Sequence, residues 1–204
     1  MTIFPMSSIH MWDWEGLGAD IKVESQLEKK TYFKKENSIQ YNLIKELKRT
    51  GDYSVIFDDD GSGEIADIVA IAEQNASVHV DFFHCKYAHG KKPGKRVKDL
   101  YEVCGQADKS VFWKQNLVGM IDRMLYRERQ RIIENKPSRF EMGDIQKLKT
   151  IKNKLLLQSS TLQIIIVQPG VKGSDITKDM HSILSTSHSY CMDTFSVPLK
   201  LICS

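Results

Sequence analysis

Asp67 lies in the run Glu64-Ile-Ala-Asp67-Ile-Val-Ala-Ile71, a carboxylate embedded among apolar and β-branched residues. Burying such a group is costly unless it meets a cation, a metal or hydrogen-bond donors. Two environments fit it: a metal site, or a sheet edge facing water. A second run follows closely, Val78 to Tyr87. Side chains alternate along a strand, so Val78, Val80, Phe82, His84 and Lys86 share one face. His84 and Lys86 are then neighbours at the strand's end. A lysine beside a metal-bound carboxylate has a defined use. It can hold an attacking water and stabilise the charge that builds on a phosphate under attack. The metal supplies Lewis acidity and a lowered water pKa.

The elements that must position these residues are legible from periodicity and turn chemistry. Asn37 or Ser38 caps a helix that runs to about Arg49, with Ile39, Leu43, Ile44 and Leu47 as its apolar stripe. Three extended runs follow: Tyr53 to Phe57, Glu64 to Ala72 and Val78 to Tyr87. Short turn-rich segments join them, which predicts an antiparallel meander. Helices are expected from about Lys95, over Gln115 to Asn135, and over Asp144 to Leu157. In the second of these, Arg123, Arg127 and Arg131 are expected on the outer side. Leu162 to Gln168 reads as a strand, Ser174 or Asp175 as the cap of a helix to about Ser185, and Leu199 to Cys203 as a last strand. Ile21 to Glu24 alternates like a short edge strand. Trp12 and Trp14 indicate that the N-terminal arm packs down. The order predicts an α/β sandwich with a mixed sheet.

A helix leading into a three-stranded meander, an aspartate in the second strand and a lysine two residues after a polar residue in the third make a pattern. It resembles the PD-(D/E)xK, or restriction-endonuclease-like, nuclease superfamily. The matching stretches are Gly61-Ser-Gly-Glu-Ile-Ala-Asp67 and Val80-Asp-Phe-Phe-His-Cys-Lys86. The resemblance implies an αβββαβ core with a mixed central sheet and helical insertions. It divides the single domain into an arm (1–36), a catalytic core (37–110), a basic helical insertion (111–158) and a strand-helix-strand completion (159–204). Asp67 would be the main metal ligand and Lys86 the catalytic lysine. The backbone carbonyl of Cys85 would be a further ligand, and Gln40 would support the site from the first helix. Gln106 would orient the site or touch a phosphate. Mg²⁺ or Mn²⁺ would be the cofactor.

One position departs from the family pattern. Its second acidic residue is His84 here. Histidine suits Mn²⁺ better than Mg²⁺, which prefers oxygen ligands. Three expectations stand side by side. His84 is a ligand or general base in an active enzyme; or Glu64 supplies the missing carboxylate, from the loop or through a bulge at Gly63; or the site is silent and the fold only binds nucleic acid.

Charge is divided unevenly along the 204 residues, whose net formal charge is +3. Residues 1–85 carry 8 Lys/Arg against 15 Asp/Glu, and residues 86–154 carry 18 against 8. An acidic first third beside a basic middle suits a metal site flanking a polyanion, and equally suits solvated helices. Lys91, Lys92, Lys95, Arg96 and Lys109 would line a nucleic-acid groove and contact phosphates without reading sequence. The expected substrate is DNA, with RNA as an alternative. The sequence is similar in style to nuclease domains that act in bacterial defence or repair, so a helicase or ATPase and a second copy of the chain are expected partners. No apolar segment has the length of a membrane span, residues 1–16 lack the pattern of a secretory signal, and Cys85, Cys104, Cys191 and Cys203 form no C-x-x-C pair. A reducing, cytoplasmic setting is the expectation.

Other motifs fail on inspection. Asp58-x-Asp60-x-Ser62 opens like an EF-hand loop, but the twelfth position is Val69. The loop reads instead as a turn near the metal site. His79, His84, Cys85, His89 and Cys104 lack the spacing of a zinc site. Gly61-Ser62-Gly63 lacks the context of a phosphate loop. Ser187-His188-Ser189 has no nucleophile elbow and is expected at a helix end.

Overall fold

The computed structural model describes residues 2–74 and 76–204. Its architecture is α/β: one seven-stranded mixed sheet with five α-helices. In chain order the elements are β1 (Ile9–Met11), α1 (Ile39–Thr50), β2 (Val55–Asp58), β3 (Ile68–Gln74), β4 (Ser77–Cys85) and α2 (Val97–Ser110). Then come α3 (Leu117–Ile133), β5 (Phe140–Met142), α4 (Ile145–Leu155), β6 (Ser159–Val167), α5 (Lys178–Phe195) and β7 (Leu199–Cys203). The sheet order is β1-β7-β6-β4-β3-β2-β5. β2, β3 and β4 form the expected antiparallel meander, while β6 joins β4 in parallel and β7 joins β6 in parallel.

Strand alternation sorts the sheet's side chains into two cores. Val69, Ile71, Val80, Phe82, Ile164 and Leu201 face one side with the apolar stripes of α2, α3, α4 and α5. Ile68, Ala70, Phe83, Ile165 and Ile202 face the other, under α1 and Trp14. Strands covered on both faces read as nearly continuous apolar runs, which explains the Ile164-Ile165-Ile166-Val167 stretch. Segment 111–158 does not stand apart: Met120, Ile121, Met124, Leu148 and Ile151 are fully buried in the larger core.

α1 begins where Ser38 accepts a hydrogen bond from Tyr41 N, 3.1 Å, and ends at Gly51 in the left-handed conformation. Several expected boundaries are corrected. Ile21 to Glu24 is turn and irregular backbone, and the arm's strand is instead β1, paired to β7. β3 starts at Ile68, so Glu64 to Asp67 belongs to the preceding loop. Thr177, not Ser174 or Asp175, caps α5, which continues to Phe195. Ser187-His188-Ser189 therefore lies inside a helix rather than at its end. The four cysteines are free and buried. Among the described residues, no helix is long and apolar enough to cross a membrane.

Arg127 is also not on an outer face. It is buried and paired through Nε with the fully buried Asp59, while its Nη2 donates to the Asp59 carbonyl, 2.7 Å, and its Nη1 to the Ser62 carbonyl, 2.8 Å. Asp59 in turn accepts from Ile65 N at 2.7 Å. The pair thus ties α3 to the loop between β2 and β3. Removing one partner of a buried pair leaves the other charge uncompensated, at a cost of about 3–5 kcal/mol. Arg127→Met should lower unfolding stability by about that amount, and adding Asp59→Asn should recover part of it. Denaturant midpoints check this; a loss under about 1 kcal/mol would mean that the pair behaves as a solvated one.

Candidate metal centre

The β2–β3 loop is a tongue closed at its base by Asp59 N donating to the Asp67 carbonyl, 2.9 Å. It turns at Gly61 and Gly63, both with positive φ. A side chain at Gly63 would also strike the Arg123 guanidinium, since a Cβ there would lie 2.5 Å from its Nη2. Arg123 donates to the Gly63 carbonyl, 2.7 Å, and Arg139 Nη1 donates to the carbonyls of Asp58 and Asp60 at 2.9 and 3.2 Å. Three arginines therefore hold the tongue by its backbone.

Leaving the strand early at Ile68 brings three carboxylates together. One oxygen from each of Asp60, Glu64 and Asp67 lies within 4.8 Å of the others. Glu64 acts from the loop, so the bulge that an ideal strand would require is not needed. Asp67 is 2% exposed. Its Oδ1 accepts from Gln40 Nε2 of α1, 3.1 Å, and its Oδ2 from Cys85 N of β4, 2.9 Å. Gln40 is held in turn, since its Oε1 accepts from Gln26 N at 3.0 Å. Burial, and then the charge of Glu64, push the Asp67 carboxyl well above the ordinary carboxylate range, against the pull of the Cys85 amide.

His84 faces this cluster from β4, with Nδ1 3.9 Å from Asp67 Oδ2. Its tautomer follows from its neighbours. Ser110 Oγ donates its one proton to the Ala107 carbonyl, 2.9 Å, so at its 2.8 Å contact with His84 Nε2 it accepts. With the Ser110 proton directed at the Ala107 carbonyl, Nε2 carries the hydrogen and Nδ1 presents a lone pair. Burial pushes the imidazole down to about 3, which keeps it neutral. Nδ1 is buried and has no hydrogen-bond partner. Two acceptors, His84 Nδ1 and Asp67 Oδ2, thus face each other with no donor of the protein between them. A cation or a proton between them would relieve that conflict. Three carboxylate oxygens are a donor set that fits a divalent ion, and His84 Nδ1 borders that set only through Asp67.

The other expected residues divide into those at the site and those beside it. Lys86 follows β4 directly, and its Nζ pairs with Glu102 of α2 at 3.1 Å and lies 4.7 Å from the Tyr87 ring centre. Burial pulls its pKa down, but Glu102 and the nearby Glu24 outweigh this and hold it above the usual lysine value. The Cys85 thiol points away, into the α1-side core, and its backbone N–H is what meets Asp67. Gln106 and Lys109 line a cavity of about 440 Å³ with Glu64, His84, Ser110 and Trp113. The Gln106 Oε1 there is buried without a partner. Lys91, Lys92 and Lys95 are exposed on the loop before α2. Arg96 is committed locally, donating to the Lys92 carbonyl at 2.9 Å.

Two acidic residues near the cluster were not among the expected ligands. The sequence places the loop of Asp58 and Asp60 near the metal site but does not pick out Asp60 as the member of the cluster. Glu24 sits in the stretch expected to be a strand. It accepts from Tyr87 N at 2.8 Å, and its charge acts on both Asp67 and Lys86.

Divalent ions should stabilise the fold by linkage, about 2.7 kcal/mol at a hundredfold excess over Kd. Thermal unfolding with and without Mn²⁺ tests this; Asp67→Asn should abolish the shift, and a shift that survives would place the ion elsewhere. Because the Asp67 carboxyl is raised, metal binding must displace its proton. Affinity should therefore fall as pH is lowered, with proton release measurable by calorimetry in buffers of different ionisation heat. Comparison with protein-family models, curated proteins and solved structures finds no match to this chain.

Proposed function

We propose that this chain hydrolyses phosphodiester bonds of DNA, using Mg²⁺ or Mn²⁺ held by Asp60, Glu64 and Asp67, on a restriction-endonuclease-like core. The observation that carries this is the facing pair of acceptors, Asp67 Oδ2 and His84 Nδ1, set in a cluster of three carboxylates. The fold reading is supported by the order α1, β2, β3, β4, α2, β6, with β4 parallel to β6 at the sheet's centre.

A bound divalent ion would supply Lewis acidity at a phosphate oxygen and a water of lowered pKa. The chain's own residues do the rest. Asp60 and Glu64 provide the negative charge that the family pattern places at position 84. Gln40 and the Cys85 amide fix the Asp67 carboxylate, so its oxygens do not rotate away from the ion. Lys86 follows β4 directly, two residues after His84. Its partner Glu102 is 40% exposed, so solvent screens the pair on that side. Turned toward a phosphate, the ammonium would orient water and offset developing charge. Lys109 and Gln106 would meet the backbone in the adjoining cavity, and Lys91, Lys92 and Lys95 would meet it further out. A role in bacterial defence or repair beside a helicase or ATPase belongs to the same proposal.

The Lys86–Glu102 pair also favours a second reading, a binding module in which the lysine never reaches a phosphate. Cleavage assays separate the two. Plasmid, single-stranded DNA and RNA oligonucleotides are incubated with Mg²⁺ or Mn²⁺. Asp67→Ala and Lys86→Ala should each reduce cleavage by about 100-fold or more while leaving Lys86→Ala able to bind. Faster cutting in Mn²⁺ would favour His84 as a ligand, and RNA cut in preference to DNA would change the substrate. Binding by the wild type without cutting under either ion would leave the module.

A further inference from the structure

The N-terminal arm makes a tight turn beside the tongue. Leu27 bridges to Lys34, Glu28 N donates to the Phe33 carbonyl at 3.0 Å, and Tyr32 N donates to the Glu28 carbonyl at 2.9 Å. Tyr32 itself has φ +56, a left-handed conformation that is strained for a non-glycine residue. The strain sets its ring against two cations: the Arg131 guanidinium lies 5.2 Å and the Lys136 Nζ 5.9 Å from the ring centre.

This turn forms one wall of a second cavity, about 280 Å³, with Lys29 and Tyr32 on the arm side. The opposite wall is Asp60, Gly61 and Ser62 of the tongue, with Arg131 and Arg139 closing it. Two features of the guanidinium groups are unusual. The Nε of Arg131 and the Nε of Arg139 are both buried, and neither has a hydrogen-bond acceptor. An unsatisfied buried donor is costly, most of all on a charged group. Arg131 and Arg139 line the cavity with Lys29, so two guanidinium groups and an ammonium border its space beside Glu28, Asp58 and Asp60. These acidic side chains do not accept from either Nε. Asp58 accepts from Gln26 Nε2 at 2.6 Å and from Asp60 N at 3.1 Å, and Glu28 accepts from the Thr31 hydroxyl. Asp60 belongs to the carboxylate cluster.

Gly61 and Ser62 are shared by this cavity and by the one that holds His84, Gln106 and Lys109. The carboxylates therefore sit on a ridge between two cavities. A strand crossing that ridge would place one phosphate at the carboxylates and carry the neighbouring nucleotide into the arginine cavity. We propose that the cavity formed by Arg131, Arg139, Lys29 and Tyr32 binds a phosphate group of the nucleic-acid substrate next to the bond held at the carboxylates. Planar forks with free N–H groups match phosphate oxygens, and the Tyr32 ring offers a surface for the attached nucleoside. The inference rests on the nuclease reading for the identity of the substrate, but not for the anion chemistry. The phosphate is either a strand's terminal monoester or an internal diester.

The test uses the full chain in EDTA, so that the carboxylate site plays no part. Inorganic phosphate, against chloride at equal ionic strength, should raise the melting temperature of the wild type and of Asp67→Asn, but not of Arg131→Ala. Fluorescence anisotropy with single-stranded oligonucleotides should show Arg131→Ala binding about tenfold or more weakly, with Arg131→Lys and Tyr32→Leu intermediate. If only 5′-phosphorylated strands lose affinity in Arg131→Ala, the occupant is the terminal group; if 5′-hydroxyl strands lose as much, it is an internal phosphate. Arg131 forms no hydrogen bond to the tongue among the described residues, and circular dichroism checks that its variant is folded. Absence of a phosphate-specific shift in the wild type, or unchanged oligonucleotide binding in Arg131→Ala, would overturn the proposal. The nuclease reading fails separately: Arg131-dependent phosphate binding without cleavage would leave this subsite standing, and cleavage unaffected by Arg131→Ala would leave the nuclease without it.

Discussion

Concentrating negative charge at a sheet end is the constraint around which this molecule is arranged. Asp58, Asp59, Asp60, Glu64 and Asp67 fall within ten residues of one another, and three of them are almost completely buried. A loop of that composition would open toward water if nothing held it. The Arg127–Asp59 pair holds it, by matching a buried guanidinium to a buried carboxylate and to the backbone carbonyls of the tongue. Arg123 and Arg139 extend the same solution to Gly63, Asp58 and Asp60. The basic middle of the chain thus serves first as internal neutralisation. Part of the charge asymmetry that suggests a polyanion surface is satisfied within the protein.

Neutralisation stops short of the cluster itself. The arginines take backbone carbonyls and Asp59, and they leave Asp60, Glu64 and Asp67 without a cationic partner of their own among the described residues. That separation has a physical use. A guanidinium in the cluster would quench it, whereas arginines that grip the backbone hold the geometry and keep the carboxylate oxygens available. His84 follows the same logic. It is kept neutral by burial and oriented by Ser110, so it adds a lone pair without adding positive charge. The functional weight of the site rests on this balance: enough positive charge to fold the tongue, and too little to fill it.

The two cavities flanking the tongue are a consequence of where it projects. Gly61 and Ser62, which carry little side chain, line both cavities. One side is built from α2 and the other from the N-terminal arm and α3. No single element could make such a site. The β2–β3 loop supplies Asp67, α1 supplies Gln40, and β4 supplies the Cys85 amide and His84.

Much of this was readable in the residues themselves. The α/β class, the Ser38 cap, the β2–β3–β4 meander and the placement of His84 and Lys86 at one end of a strand follow from period, capping and turn chemistry, which are local. The singularity of Asp67 among apolar residues was equally local. Other features were not. That Glu64 meets Asp67 from the loop was one of the alternatives the sequence left open, and β3 starting at Ile68 decides it. That Asp60 rather than Asp58 faces the cluster, that Arg127 turns inward, and that Glu24 and Tyr32 come from the arm to the site are all contacts across long stretches of chain. Periodicity reports which face of an element is apolar, but it is silent on which distant charge will meet a buried one. Only the packed structure, in which each buried charge must find its partner, decides that.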